Sequence, residues 1–307
     1  MMSYRCSLVL LAFIAFVGNA NSQTKPSNES EEPQPLRFSM KLDLVLLNAT
    51  VRNKKGWFVP DLNQPDFKVY EDNVLQNIRL FSHEDIPVVV GLVVDHSSSM
   101  SPKLAEVVAA ARTFVAASRS DDDMFVVNFN ETVVIEGSDR PDQLANAISG
   151  WPTLGQTALY DAVIKGLTQL QTRPLPKKVL IVISDGGDNA SRHNLAAVLA
   201  AVEESNVLVY TIGVFDQDDP DKNRRVLTSL AHISGGESFF PQELSEVVSI
   251  CQSIAHDIRN QYTVGYVSSN AVQPGVFRSI RLQVRAPGMG KLMVHSRSGY
   301  IAGEAIK

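Results

Sequence analysis

Three short, nearly unbroken apolar runs constrain this chain most: Val88–Val94, Val179–Ser184 and Val207–Gly213. A strand with one solvated face alternates apolar and polar residues, so runs like these belong to strands covered on both faces. Around them the period changes. Leu104–Ser118, Ala158–Leu170, Leu195–Ser205, Arg224–Ile233 and Leu244–Arg259 read as helices, and Pro141–Ser149 as a short helix with Pro in its first turn. Phe125–Phe129, Thr132–Ile135 and the edge segment Glu237–Phe240 add strands. Such alternation over residues 87–258 predicts an α/β domain with a doubly wound, mostly parallel, Rossmann-like sheet.

The flanks read differently. In residues 36–86, Leu42–Val51, Phe67–Tyr70 and Gln76–Phe81 are strand-like, with turns at Asn53–Gly56 and Glu71–Asn73. In residues 259–307, Tyr262–Val267, Phe277–Arg285 and Lys291–Ser296 are strand-like. Neither segment has enough strands for a good core alone. The expectation is that they pair into one small β-sandwich, with the α/β domain inserted in it. Two separate sheets flanking the domain are the alternative.

The first residues look like an address rather than structure. Arg5 precedes the apolar run Ser7–Val17, and Gly18, Asn19 and Ala20 resemble a cleavage site, so residues 1–20 read as a signal peptide. An uncleaved anchor is the competing reading. Residues 21–35 are polar, Pro-bearing and without aromatics, as in a disordered tether. No later apolar stretch reaches membrane-spanning length. Of two cysteines, Cys6 would leave with the signal, and Cys251 lies in an apolar helical stretch that predicts a buried thiol. An exported chain without an internal disulfide fits a bacterial periplasm, cell surface or secreted location better than an animal extracellular module. Its sequons, at Asn28, Asn48, Asn130 and Asn189, matter only in a eukaryotic secretory pathway.

The chemistry concentrates at strand ends. Val88–Val94 stops at Asp95, followed by Ser97 and Ser99 at spacings of two. In a doubly wound sheet ligands bind at the carboxyl ends of strands. Thr157, ahead of a helix, and Asp185, directly after a buried strand and before Gly186 and Gly187, offer further oxygens. Carboxylates and hydroxyls are hard ligands that suit Mg²⁺, Mn²⁺ or Ca²⁺ and not zinc.

Asp95, Ser97, Ser99, Thr157 and Asp185 match all five positions of the D-x-S-x-S, distant Thr, distant Asp pattern. On these residues the chain resembles the von Willebrand factor A family and its metal-ion-dependent adhesion site, over about residues 87–258. The opening segment LDLVLLNATVRNKKGWFVPDLNQPDFKVYEDN and the close from QYTVGYVSSN to VHSRSGYIA are similar to the acidobacterial VWFA-related exported proteins. The resemblance implies one divalent cation, Mg²⁺ first, with an open position that takes an Asp or Glu carboxylate of a protein partner. It also implies that displacement of the last helix, Leu244–Arg259, can be linked to the grip on that carboxylate. The expected function is thus an extracytoplasmic, cation-dependent adhesion module. The alternative is a scaffold component of an envelope assembly in which the metal only stabilises the loops.

Plainer readings apply nearby. Ser97 and Ser99 could cap the next helix. His96, between ligand positions, is expected to point away, and Asp188 to be solvated. Trp151 is expected in the core or at the rim. Asp216, Asp218, Asp219 and Asp221 lack the mid-loop Gly and closing Glu of an EF-hand and read as a solvated loop or as partners of Arg224 and Arg225. No serine-hydrolase elbow, phosphate loop, H-E-x-x-H or C-x-x-C is present, no Lys is placed beside Asp95, and the chain is not read as an enzyme. A net charge of -5 with no basic field argues against nucleic acid. Oligomeric state is not encoded in any motif.

Overall fold

The computed structural model describes residues 44–83, 85–137, 141–215, 222–270 and 273–303. The expected signal segment and tether, and Asp216, Asp218, Asp219 and Asp221, lie outside the described residues. In chain order the strands are β1 (Leu44–Arg52), β2 (Phe67–Glu71), β3 (Val74–Gln76), β4 (Ile78–Ser82), β5 (Val88–Asp95), β6 (Asp123–Phe129), β7 (Val133–Gly137), β8 (Lys177–Ser184), β9 (Leu208–Gly213), β10 (Ser238–Phe239), β11 (Tyr262–Val267), β12 (Phe277–Val284), β13 (Met293–His295) and β14 (Gly299–Ile301). The helices are α1 (Leu104–Ala116), α2 (Pro141–Ser149), α3 (Leu159–Gln171), α4 (Leu195–Glu204), α5 (Arg224–Ser234) and α6 (Glu246–Arg259). Among the described residues no helix is long and apolar enough to cross a membrane.

The apolar runs become the middle of a six-stranded sheet, ordered β10-β9-β8-β5-β6-β7, in which all neighbours are parallel except β6 and β7. This is the expected doubly wound fold class. All eight residues of β5 are buried because helices cover both faces. Val88, Val90, Leu92 and Val94 pack with α1, α2 and α6, while Val89 and Val93 pack with α3, α4 and α5. The helices present matching stripes. In α1 these are Val107, Ala110, Ala111 and Phe114, and in α6 Val247, Cys251, Ile254 and Ile258. Cys251 is buried as expected, and burial pushes its thiol up to about 12.

The remaining strands form two four-stranded sheets, β13-β1-β11-β4 and β14-β12-β2-β3. Each draws strands from both ends of the chain, and their inner faces share one core that includes Leu47, Val51, Phe67, Val69, Tyr262, Val264, Tyr266 and Ile280. That is the sandwich of paired segments, not two separate flanking sheets. β4 leads into β5, and β11 leaves α6 to lie antiparallel between β1 and β4, so the α/β domain enters and exits through adjacent strands. The sequence pattern missed β3 as a separate strand and β14. Both are only three residues long.

A buried carboxylate closes one end of the sandwich. Glu71, fully buried on the inner face of β2, accepts hydrogen bonds from Tyr266 Oη (2.7 Å), Tyr300 Oη (3.0 Å), Ser268 Oγ (2.5 Å) and Asn270 Nδ2 (2.8 Å). Burial opposes its charge, yet the bonds from Ser268, Tyr266, Asn270 and Tyr300 together outweigh it and hold the carboxyl below its ordinary 4.5. A lowered pKa stabilises the fold above the unfolded value, and that contribution is lost as pH falls through the folded one. Glu71→Gln should therefore destabilise the protein by about 1–3 kcal/mol at pH 7. It should also flatten the loss of stability below pH 4.5, as read by denaturant unfolding at a series of pH values.

Candidate metal centre

The centre begins with two neighbouring strand ends. β5 and β8 pair in parallel with Val94 opposite Ile183, which brings the next residues, Asp95 and Ser184, side by side. This is where the chain order of the sheet reverses, with β6 and β7 on one side of β5 and β8 to β10 on the other. Crevices at such switch points are the ligand sites of doubly wound sheets. Asp95 is fully buried. Its Oδ2 accepts from Ser184 Oγ (2.6 Å) and its Oδ1 from Ser97 N (2.8 Å). Burial, joined by the charge of Asp185, pushes Asp95 up to about 6 against the hydrogen bonds that favour the carboxylate.

Beyond Asp95 the chain makes a tight helical turn over Ser98–Lys103, with Ser97 in the N-cap position. The Ser97 hydroxyl makes no capping bond there. It lies 3.1 Å from Ser99 Oγ, which in turn donates to Asp185 Oδ2 at 2.5 Å. The capping reading of Ser97 thus gives way to a side-chain chain of Ser97, Ser99 and Asp185. Asp185 Oδ1 accepts from Gly187 N (3.1 Å), which holds the carboxylate against its own loop.

Thr157 joins through backbone. Its N–H donates to Asn189 Oδ1 (2.8 Å), and its carbonyl accepts from the N–H groups of Asn189 and Ala190, both at 3.0 Å. No hydrogen bond joins the nearly buried Thr157 hydroxyl to another described residue. Asp188, expected to be solvated, instead accepts from Tyr160 N (3.1 Å) at the start of α3 and from Ser191 Oγ (2.6 Å) of its own loop, and burial raises its pKa. Asp161 reciprocates by accepting from Arg192 N and His193 N, both at 3.1 Å. The loops of Thr157 and Asp185 are therefore stitched together from both sides.

His96 points away from the cluster, as expected. Its Nε2 is 3.0 Å from Asn128 Oδ1, its ring tilts against Trp151, and burial lowers its pKa. Trp151 sits at the rim, half-buried, donating to Glu136. Three participants escaped the sequence. Ser184 contacts Asp95 only because β5 and β8 are neighbours, and Asn189 works only once two loops meet. Lys103 is almost fully buried, donating to the Val214 carbonyl at 3.1 Å, while Val214 N donates to Ser184 O. A lysine in a helical turn carries no sequence signal of burial.

The donors gathered here are carboxylate and hydroxyl oxygens. Among the described residues no three His, Cys, Asp or Glu side chains assemble as a metal group; the candidate donors here are two carboxylates and three hydroxyls. Two buried carboxylates, one pushed upward partly by the other, and adjoining hydroxyls fit a hard divalent cation.

Comparison with known proteins agrees with this architecture. The family model of the von Willebrand factor type A domain matches residues 90–252. Proximal thread matrix protein 1 from the mussel byssus is similar in structure, with a TM-score of 0.50 and 14% identity over 62% of this chain and 51% of that one. A von Willebrand factor type A structure from Catenulispora acidiphila aligns over 87% of this chain and 76% of its own, at 11% identity and a TM-score of 0.48. An aerotolerance-related membrane protein from Bacteroides fragilis aligns over 56% of this chain and 98% of its own, at 13% identity and a TM-score of 0.43. At 14% identity the likeness to the byssus protein is one of fold.

The backbone beside Asp185 is intolerant of a side chain. Gly186 has φ +81°, and a Cβ there would lie 2.6 Å from the Asn223 carbonyl oxygen. Gly186→Ala should cost about 1–3 kcal/mol. Gly56→Ala, at the same φ but in open space, should cost only about 1 kcal/mol. Thermal unfolding of the two variants side by side checks the difference.

Proposed function

Because the chain belongs to the von Willebrand factor type A domain family, we propose that it is a cation-dependent protein-binding module. In this reading Asp95, Ser97, Ser99, Thr157 and Asp185 hold one divalent cation, Mg²⁺ first, and an Asp or Glu carboxylate of a partner completes the site. The observation that carries it is the buried pairing of Asp95 with Asp185 across a chain of neutral hydroxyls. Two carboxylates in so dry a place repel, and a doubly charged ion relieves both the repulsion and the desolvation. The five candidate ligands include two carboxylates, Asp95 and Asp185, which leaves attraction for a third from outside. The cation supplies a Lewis-acidic position for that carboxylate. Ser184 and the Ser97 amide hold Asp95, while Gly187 N and the loop stitched by Asp188 hold Asp185, so the donors keep their arrangement without a partner.

The role proposed is binding rather than turnover, in an exported protein delivered by residues 1–20. A second reading makes the chain an envelope scaffold whose cation only stiffens the loops. It is favoured by the hydrogen bonds that couple the loops of Thr157 and Asp185, through which a cation held by either loop would stiffen both.

Two measurements separate these readings. Mg²⁺ at about one hundred times Kd should stabilise the protein by about 2.7 kcal/mol, which EDTA reverses and Asp95→Ala or Asp185→Ala abolishes. A Tm unmoved by Mg²⁺, Mn²⁺ and Ca²⁺ sinks both readings. Capture of a surface-protein partner should then require the cation and fail with Asp95→Ala. Capture that persists in EDTA leaves only the scaffold.

A further inference from the structure

The sandwich is open along one side. β14 pairs with β12 only over Phe277–Ser279, and β13, at the edge of the other sheet, pairs with β1 only over Thr50–Arg52. Along the Leu282–Val284 end of β12, which β14 does not reach, and beside Val294 of β13 lies a groove of about 640 Å³. Leu282, Val284, Leu292 and Val294 line it and continue into the sandwich core, while Arg285 and Lys291 stand exposed at its rim. No acidic side chain lines it.

Along Leu282–Val284 the backbone of β12 finds hydrogen-bond partners among the described residues on the β2 side alone. Asp72 N donates to Ser279 O and Arg285 N to Asp66 O, so odd-numbered residues of this stretch bond toward β2. Ile280 N donates the other way, to Ser298 O beside β14. Hydrogen bonding in a strand alternates sides, so the N–H and C=O groups of Leu282 and Val284 also face away from β2, into the groove. β14 has ended there, and no strand of the described residues pairs this stretch. Exposed edges with unpaired backbone groups are templates for an added strand.

We propose that this edge captures an extended, acidic peptide segment of a partner protein, which adds to β12 along Leu282–Val284 in line with β14. Its inward side chains would be β-branched and apolar, seated between Leu282, Val284, Leu292 and Val294. Its flanking carboxylates would meet Arg285 and Lys291, whose charge no neighbouring acid in the groove offsets. The interaction uses none of the cation ligands and is independent of the function proposed above.

The test uses the full chain and a fluorescent peptide Glu-Val-Thr-Val-Asp, followed by anisotropy and by amide hydrogen exchange. Binding is expected to slow exchange at Leu282 and Val284 and to persist in EDTA and in Asp95→Ala. Methylating the two Val nitrogens, which face β12 in this pairing, should abolish it. The exposed double change Arg285→Glu with Lys291→Glu should weaken it about tenfold or more. No binding at about 1 mM peptide, or binding that protects neither amide, overturns the proposal. So does slow exchange at both amides in the protein alone, which would mean that its own chain or a second copy already covers the edge.

Discussion

Strand β11 leaves the last helix of the α/β domain and lies antiparallel between β1 and β4. That pairing places the entry and exit of the inserted domain side by side. It also seats Tyr262, Val264 and Tyr266 in the sandwich core, where Tyr262 Oη donates to the Val59 carbonyl and Tyr266 Oη to Glu71. The two ends of the chain are thereby joined through one core rather than trailing from the domain. The junction is reinforced by charge. Arg52, at the end of β1, meets Asp257 of α6 and Glu237 at 3.0 Å, and Gln261 donates to Tyr210 Oη at 3.1 Å. Burial raises Asp257 in spite of Arg52, so this ion pair contributes geometry more than stability.

The candidate centre draws on the same rigidity from the opposite end of the sheet. Asp95 is held in a place that disfavours its charge, because β5 is covered on both faces and Asp185 is near. A surface carboxylate would be solvated and relaxed. This one is kept in position by a strand end, the Ser97 amide and the Ser184 hydroxyl. The cost of burying Asp95 and the proposed affinity for a hard cation have one origin: low exposure, fixed oxygens and the nearby charge of Asp185.

Much of this was legible in advance where one periodicity dominates. The runs at Val88 and Val179 are central parallel strands; Asp95 and Asp185 follow from predicted strand ends, and the family resemblance joins them with Ser97, Ser99 and Thr157 into one candidate set. Four of them, Asp95, Ser97, Ser99 and Asp185, lie in one linked network, while the backbone of Thr157 bonds to Asn189 and Ala190, farther along the loop that carries Asp185. Illegible were the residues whose role depends on who lies next to whom. Ser184 reads as an ordinary serine until β8 lies beside β5. Asp188 reads as a solvated acid until its loop meets the start of α3, and Lys103 as a surface lysine until Val214 covers it.

The amino-acid sequence by itself determined the layers, the strand ends and the chemical type of the donors. Buried runs, helical stripes and hard oxygens are local properties that survive without neighbours. Tertiary structure decided how the terminal strands share two sheets, which partner each polar group finds, and where β12 is left uncovered. Those depend on contacts between segments some two hundred residues apart, such as Glu71 with Tyr266. Short strands such as β3 and β14 carry too few residues to show a period, so only the sheet that pairs them makes them strands.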